Sequence, residues 1–247
     1  MLREKMNQSG LIGDADFRWR GGDVSRIEAL SDAVFAIAIA LLVVSLEVPR
    51  TFEELMGIMH GFVAFAVTLT AIVAIWYVHY IYFRRFGFED GITIMLNTAL
   101  LFVVLFYIYP LKFLATLLIT YLLLNRGLGM DVVVDISMQN AQWPTLMIVY
   151  SSGFVAVFLI FMLLYLHAWR RREALELNEI EQVLTRGSIY GYGIMVAIGL
   201  ASILIAAIAG PRGSLWAGLI YWLTGPLSAI YGVRIRRKVL VLKAGKA

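Results

Sequence analysis

The chain has 247 residues, of which 61% are hydrophobic and only 15% charged, and its mean hydropathy is +0.81. Such a composition excludes an ordinary soluble domain and describes a protein that crosses a membrane several times. A net charge of +4 would point a soluble chain toward nucleic acid, but here the basic residues lie between apolar segments, where they act as topology signals.

There is no cysteine, so disulfides, thiolate chemistry and cysteine-held metals are excluded. Residues 1–23 are polar and glycine-bearing with no apolar run, unlike a signal peptide, and are expected to be a cytoplasmic tail. Asp23 or Ser25 caps the first apolar helix, which runs from Arg26 to about Leu46 and is closed by Pro49. On a helical wheel, Leu30, Val34, Ile37, Leu41 and Val44 fall in one apolar stripe. Ala29, Ala33, Ala36 and Ala40 form a flank that admits a close neighbour, and Asp32 points to the far side with Phe35 and Ile39. An intramembrane carboxylate costs roughly 2.5–3.5 kcal/mol on insertion scales, so Asp32 needs partners.

A second apolar segment covers 53–82, longer than the roughly 20 residues a span needs, which implies tilt or protrusion. The third, 92–124, carries Asn97 and is expected to kink at Pro110. After a polar connection over 125–144, a fourth span covers 145–169. The acidic connector that follows Arg172, EALELNEIEQVLT, reads as a solvated helix face. A fifth span covers 188–209 and a sixth 215–233, and residues 234–247 form a basic tail. The expected architecture is therefore all-α, with six transmembrane helices over 24–233. Seventeen Lys and Arg fall on the side of the termini against four on the other, which places both termini in the cytoplasm of a multi-pass protein of the cell membrane.

With this topology, Ser31 and Asp32 lie about 8–10 Å past the cytoplasmic start of the first helix. Trp76 and His79 approach that level on the descending second helix, and Asn97 on the ascending third. A carboxylate that accepts hydrogen bonds from Trp76, His79 or Asn97 anchors the first helix against its neighbours.

Arg26, Leu30, Ser31 and Asp32, followed by AVFAIAIALLV, resemble the signature that opens the first helix of the transmembrane protein 175 family. Leu30 and Ala40 depart from it, standing where the family usually has phenylalanine and where many prokaryotic members have threonine. The resemblance implies a potassium-permeable channel of the prokaryotic inner membrane. It is expected to be a homotetramer of single-repeat subunits with the first helix around a central pore. It further implies a hydrophobic constriction at Ile37, with Leu41 and Val44 on the same wall, and a polar network of Arg26, Ser31, Asp32, Trp76, His79 and Asn97. Potassium is then the permeant ion. No cofactor, bound metal, nucleic acid or small-molecule substrate is expected.

The histidines at 60, 79 and 167 have no metal-ligand spacing, and no P-loop, dinucleotide fingerprint or GxSxG is present, so an enzyme is not expected. The alternative to a channel is a proton-coupled transporter using Asp32 and His79 as a relay. A single copy of the first helix with no inverted repeat favours an oligomeric pore.

Overall fold

The computed structural model describes residues 16–44, 49–125 and 139–245. Among them every regular element is helical: α1 (Arg26–Val44), α2 (Phe52–His60), α3 (Phe62–Phe86), α4 (Gly91–Asn125), α5 (Trp143–Arg170), α6 (Glu179–Leu219) and α7 (Thr224–Ala244). Single 3-10 turns precede α5 and join α6 to α7. Four stretches, Phe62–Phe86, Gly91–Ile119, Asn140–Arg170 and Glu179–Ala244, are long and apolar enough to cross a membrane. The chain is a multi-pass, all-helical membrane protein.

Three boundaries differ from those expected. The long second segment is broken at Gly61 into the short α2, which opens on Glu53 and Glu54, and the apolar α3. The fifth span starts at Glu179, because Asn178 and Glu181 form a reciprocal capping box: Asn178 Oδ1 accepts the Glu181 N–H at 2.9 Å and Glu181 Oε2 accepts the Asn178 N–H at 3.0 Å. The last arm continues to Ala244, since 233–244 holds neither glycine nor proline to stop it. Pro110 lies within α4, which is helical on both sides of it.

Between the fifth and sixth arms the chain reverses at Gly210, whose φ of 56° and ψ of −142° suit only glycine, and Pro211 follows with no N–H to continue the ladder. The two arms are joined beyond the turn by Ser202 Oγ, which donates to the Ala217 carbonyl at 2.8 Å. Tyr221 donates to Ser151 Oγ at 2.8 Å, and the Ser151 and Ser202 hydroxyls lie 2.9 Å apart. With Ser202 already donating to a carbonyl, Ser151 is its donor, so the hydroxyls run in one direction from Tyr221 to Ala217.

The core has two halves. Tyr82, Phe86, Tyr165 and Tyr192 pack ring on ring at 5.2–5.4 Å near the basic end, and Phe17 seats edge-on against Phe86 at 5.5 Å. Toward the other end, Tyr107 donates its hydroxyl to the Tyr150 carbonyl at 2.8 Å and lays its ring on Gly153. A Cβ at Gly153 would stand 2.1 Å from that ring. Gly153→Ala must therefore push Tyr107 off its site, and is expected to cost about 1–3 kcal/mol, read as a lower melting temperature in detergent.

Candidate functional site

Three polar groups hold α1 against the rest of the bundle. The lowest sits at its foot. Ser25 caps the helix, its Oγ accepting the Glu28 N–H at 3.2 Å while Glu28 Oε2 accepts the Ser25 N–H at 2.9 Å. The other oxygen of Glu28 lies 3.3 Å from Arg84 Nη2, and Arg84 Nη1 donates to the Gly22 carbonyl at 2.8 Å. The Arg84 carbonyl in turn accepts from the N–H groups of Arg20 and Gly21 at 3.0 and 3.1 Å. This approach requires glycine at 21, where a Cβ would come within 2.5 Å of the Phe83 oxygen.

The same segment reaches α6. Arg20 forks onto Glu181, Nη2 to Oε2 at 2.7 Å and Nη1 to Oε1 at 3.1 Å, and its Nε donates to the Leu175 carbonyl at 2.8 Å. The backbone N–H of Arg18 adds a bond to Glu181 Oε1 at 2.8 Å. Glu181 is 1% exposed, so the connector is not a solvated face throughout. Its other acids, Glu173, Glu176 and Glu179, are exposed as expected. The Arg20 fork and the N–H groups of Arg18 and Asn178 supply partners to both oxygens of this enclosed carboxylate. Beside this cluster, His167 Nε2 lies 2.7 Å from Asp90 Oδ2. Burial raises the Asp90 carboxyl, and bonds from Thr93 and His167 more than reverse that.

The second group is enclosed between α1, α3 and α4. Ser31, His79 and Asn97 are 0, 1 and 2% exposed. Asn97 Nδ2 donates to Ser31 Oγ at 2.8 Å, Ser31 donates to the Ile27 carbonyl at 2.8 Å, and His79 Nε2 lies 2.9 Å from Asn97 Oδ1. An amide oxygen only accepts, so His79 carries its proton on Nε2. Its ring is held between Phe83 at 4.6 Å and Phe35 at 5.8 Å.

The third group is Asp32, whose Oδ1 accepts from Trp76 Nε1 at 2.8 Å. It stands apart from the buried trio and is exposed. This differs from the expectation that Asp32 shares a protein-facing side with Phe35. The buried stripe of α1 is instead Ser31, Phe35, Ala38 and Leu42, spaced i, i+4, i+7, i+11, and Asp32 lies some 100° from Ser31 on the wheel. Arg26 joins none of the groups. It is exposed and makes no ion pair among the described residues, because it points about 200° from Glu28, whose carboxylate Arg84 occupies.

The opposite side of α1 is not covered by the other described residues of the chain. Leu30 is 58%, Ile37 54% and Leu41 36% exposed, and Ala29, Ala33, Ala36 and Ala40 are exposed beside them. Val34 is half-buried, and the side chain of Val44 lies outside the described residues.

The family model of the endosomal/lysosomal potassium channel TMEM175 matches residues 26–107, from α1 into α4. A potassium channel of Marivirga tractuosa is 39% identical over 224 residues, which cover 88% of this chain and 90% of the relative. The chain belongs to the TMEM175 family.

A second relative, a potassium channel of Chamaesiphon minutus, is 29% identical over 154 residues, 59% of this chain and 66% of its own. Among solved structures, the crystal structure of the potassium channel MtTMEM175 T38A variant, in complex with a nanobody-MBP fusion protein, superposes with a TM-score of 0.82. It is 39% identical and covers 92% of this chain and 99% of that one. The stretch matched by the TMEM175 model contains the buried trio, the Asp32–Trp76 pair and the Glu28–Arg84 pair. Arg20 and Glu181 lie outside it. Sequence reasoning missed Glu28, Arg84, Arg20 and Glu181 as a cluster, although S-x-x-E at 25–28 and N-x-x-E at 178–181 were legible as capping boxes.

Proposed function

We propose that four copies of this chain form a potassium-permeable cation channel in the cell membrane, each crossing six times, with α1 around the central path and Ile37 at its hydrophobic constriction. The observation that carries this reading is the uncovered side of α1. A helix tied into its subunit by Ser31, Phe35, Ala38 and Leu42 presents Leu30, Ile37 and Leu41 outward, next to alanines that admit another backbone. The relatives are named potassium channels, which supports the permeant ion. Leu30, Ile37, Leu41 and Val44 offer an ion no oxygen, so the path gates by dewetting and discriminates weakly between potassium and sodium. Purified protein in liposomes with a potassium gradient is expected to pass a passive, non-saturating flux. Slow, saturating, proton-coupled flux would replace the channel with a carrier. A carrier relay through Asp32 and His79 is disfavoured, because the two sit in separate hydrogen-bonded groups.

Both termini are assigned to the cytoplasm on the seventeen-to-four excess of basic residues. Because the chain has no native cysteine, single cysteines report sidedness directly. Arg212→Cys, exposed beside the Gly210 reversal, should be labelled by an impermeant maleimide from outside the cell, and Glu173→Cys should not. The reverse pattern would invert the assignment.

A further inference from the structure

Between the beginning of α6 and the length of α7 lies a crevice of about 520 Å³. Glycines keep it open. A Cβ on Gly191 or on Gly232 would meet nothing within 4 Å, whereas Gly187, lower on the same wall, is closed by Ile235 at 3.2 Å. Phe158, Leu184 and Met195 make the apolar interior. Two basic residues border it: Arg236, exposed on α7, and Arg85, half-buried with its guanidinium 4.8 Å from the Phe17 ring centroid. Asp16, the one acid on the wall among the described residues, is ion-paired with Lys243. A second crevice of about 490 Å³, lined by Trp19, Tyr77 and Tyr80, shares Arg85, Ser188 and Tyr192 with the first.

We infer that this crevice binds an anionic phospholipid, its headgroup phosphate against Arg236 and Arg85 and an acyl chain along the Gly191–Gly232 wall. The reasons are chemical. An open apolar slot among membrane-crossing helices takes a hydrocarbon chain, and basic pockets between such helices select negatively charged headgroups. Arg234, Arg237 and Lys238 extend the positive charge along the exposed side of α7, interleaved with the exposed Val233, Leu240 and Val241, a mixture suited to the boundary between headgroups and acyl chains. A second copy of the chain in the same place would oppose like charges across the contact, which disfavours self-association there. The inference does not depend on the channel reading.

Native mass spectrometry of the detergent-purified protein, titrated with phosphatidylglycerol or phosphatidylcholine, tests it. The wild type should retain phosphatidylglycerol preferentially. Arg236→Gln should weaken phosphatidylglycerol binding roughly fivefold, the effect of one basic residue near a headgroup, and leave phosphatidylcholine binding unchanged. Gly191→Leu and Gly232→Leu, each extending into empty space, should abolish the preference by filling the slot, with melting temperatures verifying that both variants remain folded. Arg237→Gln, on the same helix but off the crevice, should have little effect. An equal loss from Arg237→Gln would mean diffuse surface attraction and overturn the site. Unchanged binding in both folded leucine variants would overturn it as well, and so would a change of oligomeric state in them, which would make the crevice a contact between copies.

Discussion

Ile37→Asn is expected to raise cation conductance severalfold and to erode what discrimination exists between potassium and sodium. Ile37 lies eleven residues beyond Arg26, hence roughly 16 Å along α1 and near the middle of a hydrocarbon core about 30 Å thick. In the proposed tetramer a ring of four isoleucines there would exclude water from the path, and an amide would readmit it without supplying a size filter. A barrier lowered by about 1 kcal/mol corresponds to roughly fivefold faster passage. Val43 is the control. It is exposed like Ile37 yet lies about 120° away on the wheel, so Val43→Asn should leave unitary conductance near the wild-type value. Single-channel recording of both variants in bilayers decides the matter, and equal conductance changes from the two would place the ion path elsewhere.

The largest loss of stability is expected from Arg20→Ala. It strips Glu181, an enclosed carboxylate, of its bidentate partner and releases the contacts to Leu175 and Glu176. Breaking a buried ion pair from one side costs about 3–5 kcal/mol, because the remaining charge is left uncompensated. Glu181→Gln should cost less, since the amide oxygen still accepts from Arg20, and thermal melts of the three proteins would rank them. A separate carboxylate sets an acid limit. Asp90, which precedes α4, titrates below its ordinary value, so the folded state binds fewer protons than the unfolded one in the acid range. Its contribution is complete above the ordinary carboxylate value of 3.8 and is lost as pH falls through the lower value of the folded protein. Stability should thus be flat with respect to Asp90 from neutrality to about pH 5 and decline below it, more shallowly in Asp90→Asn.

Much of this was legible in the sequence. Hydropathy located the apolar arms, because lipid forces whole helices and admits few alternatives. Depth reasoning brought Ser31, His79 and Asn97 to one level, and the hydrogen bonds among them follow. The face of Asp32 was not legible. A wheel with serine, aspartate and alanine at successive positions permits several rotations, and the choice rests on which residue meets Asn97. The Arg20–Glu181 pair was hidden for a different reason: its partners are 161 residues apart, and nothing in a single chain's charge pattern distinguishes an exposed glutamate from one enclosed by distant backbone. The expected ends of the fifth and sixth spans at 209 and 215 bracketed the reversal, but not that the hydroxyls of Ser151, Ser202 and Tyr221 would bond to one another.

That hydroxyl relay bears on how the chain matures during synthesis. Ser151 and Ser202 enter the membrane before Ala217 and Tyr221, and so at first lack the carbonyl that accepts from Ser202 and the phenol that donates to Ser151. Until the arm beyond Gly210 enters, α5 and the part of α6 before Gly210 hold an unfinished polar seam in an environment without water to complete it. A nascent chain truncated before residue 217 and carried on a polar tether long enough to clear the ribosome should accordingly stay bound to the insertion machinery, and release into lipid should coincide with closure of the hairpin at Gly210.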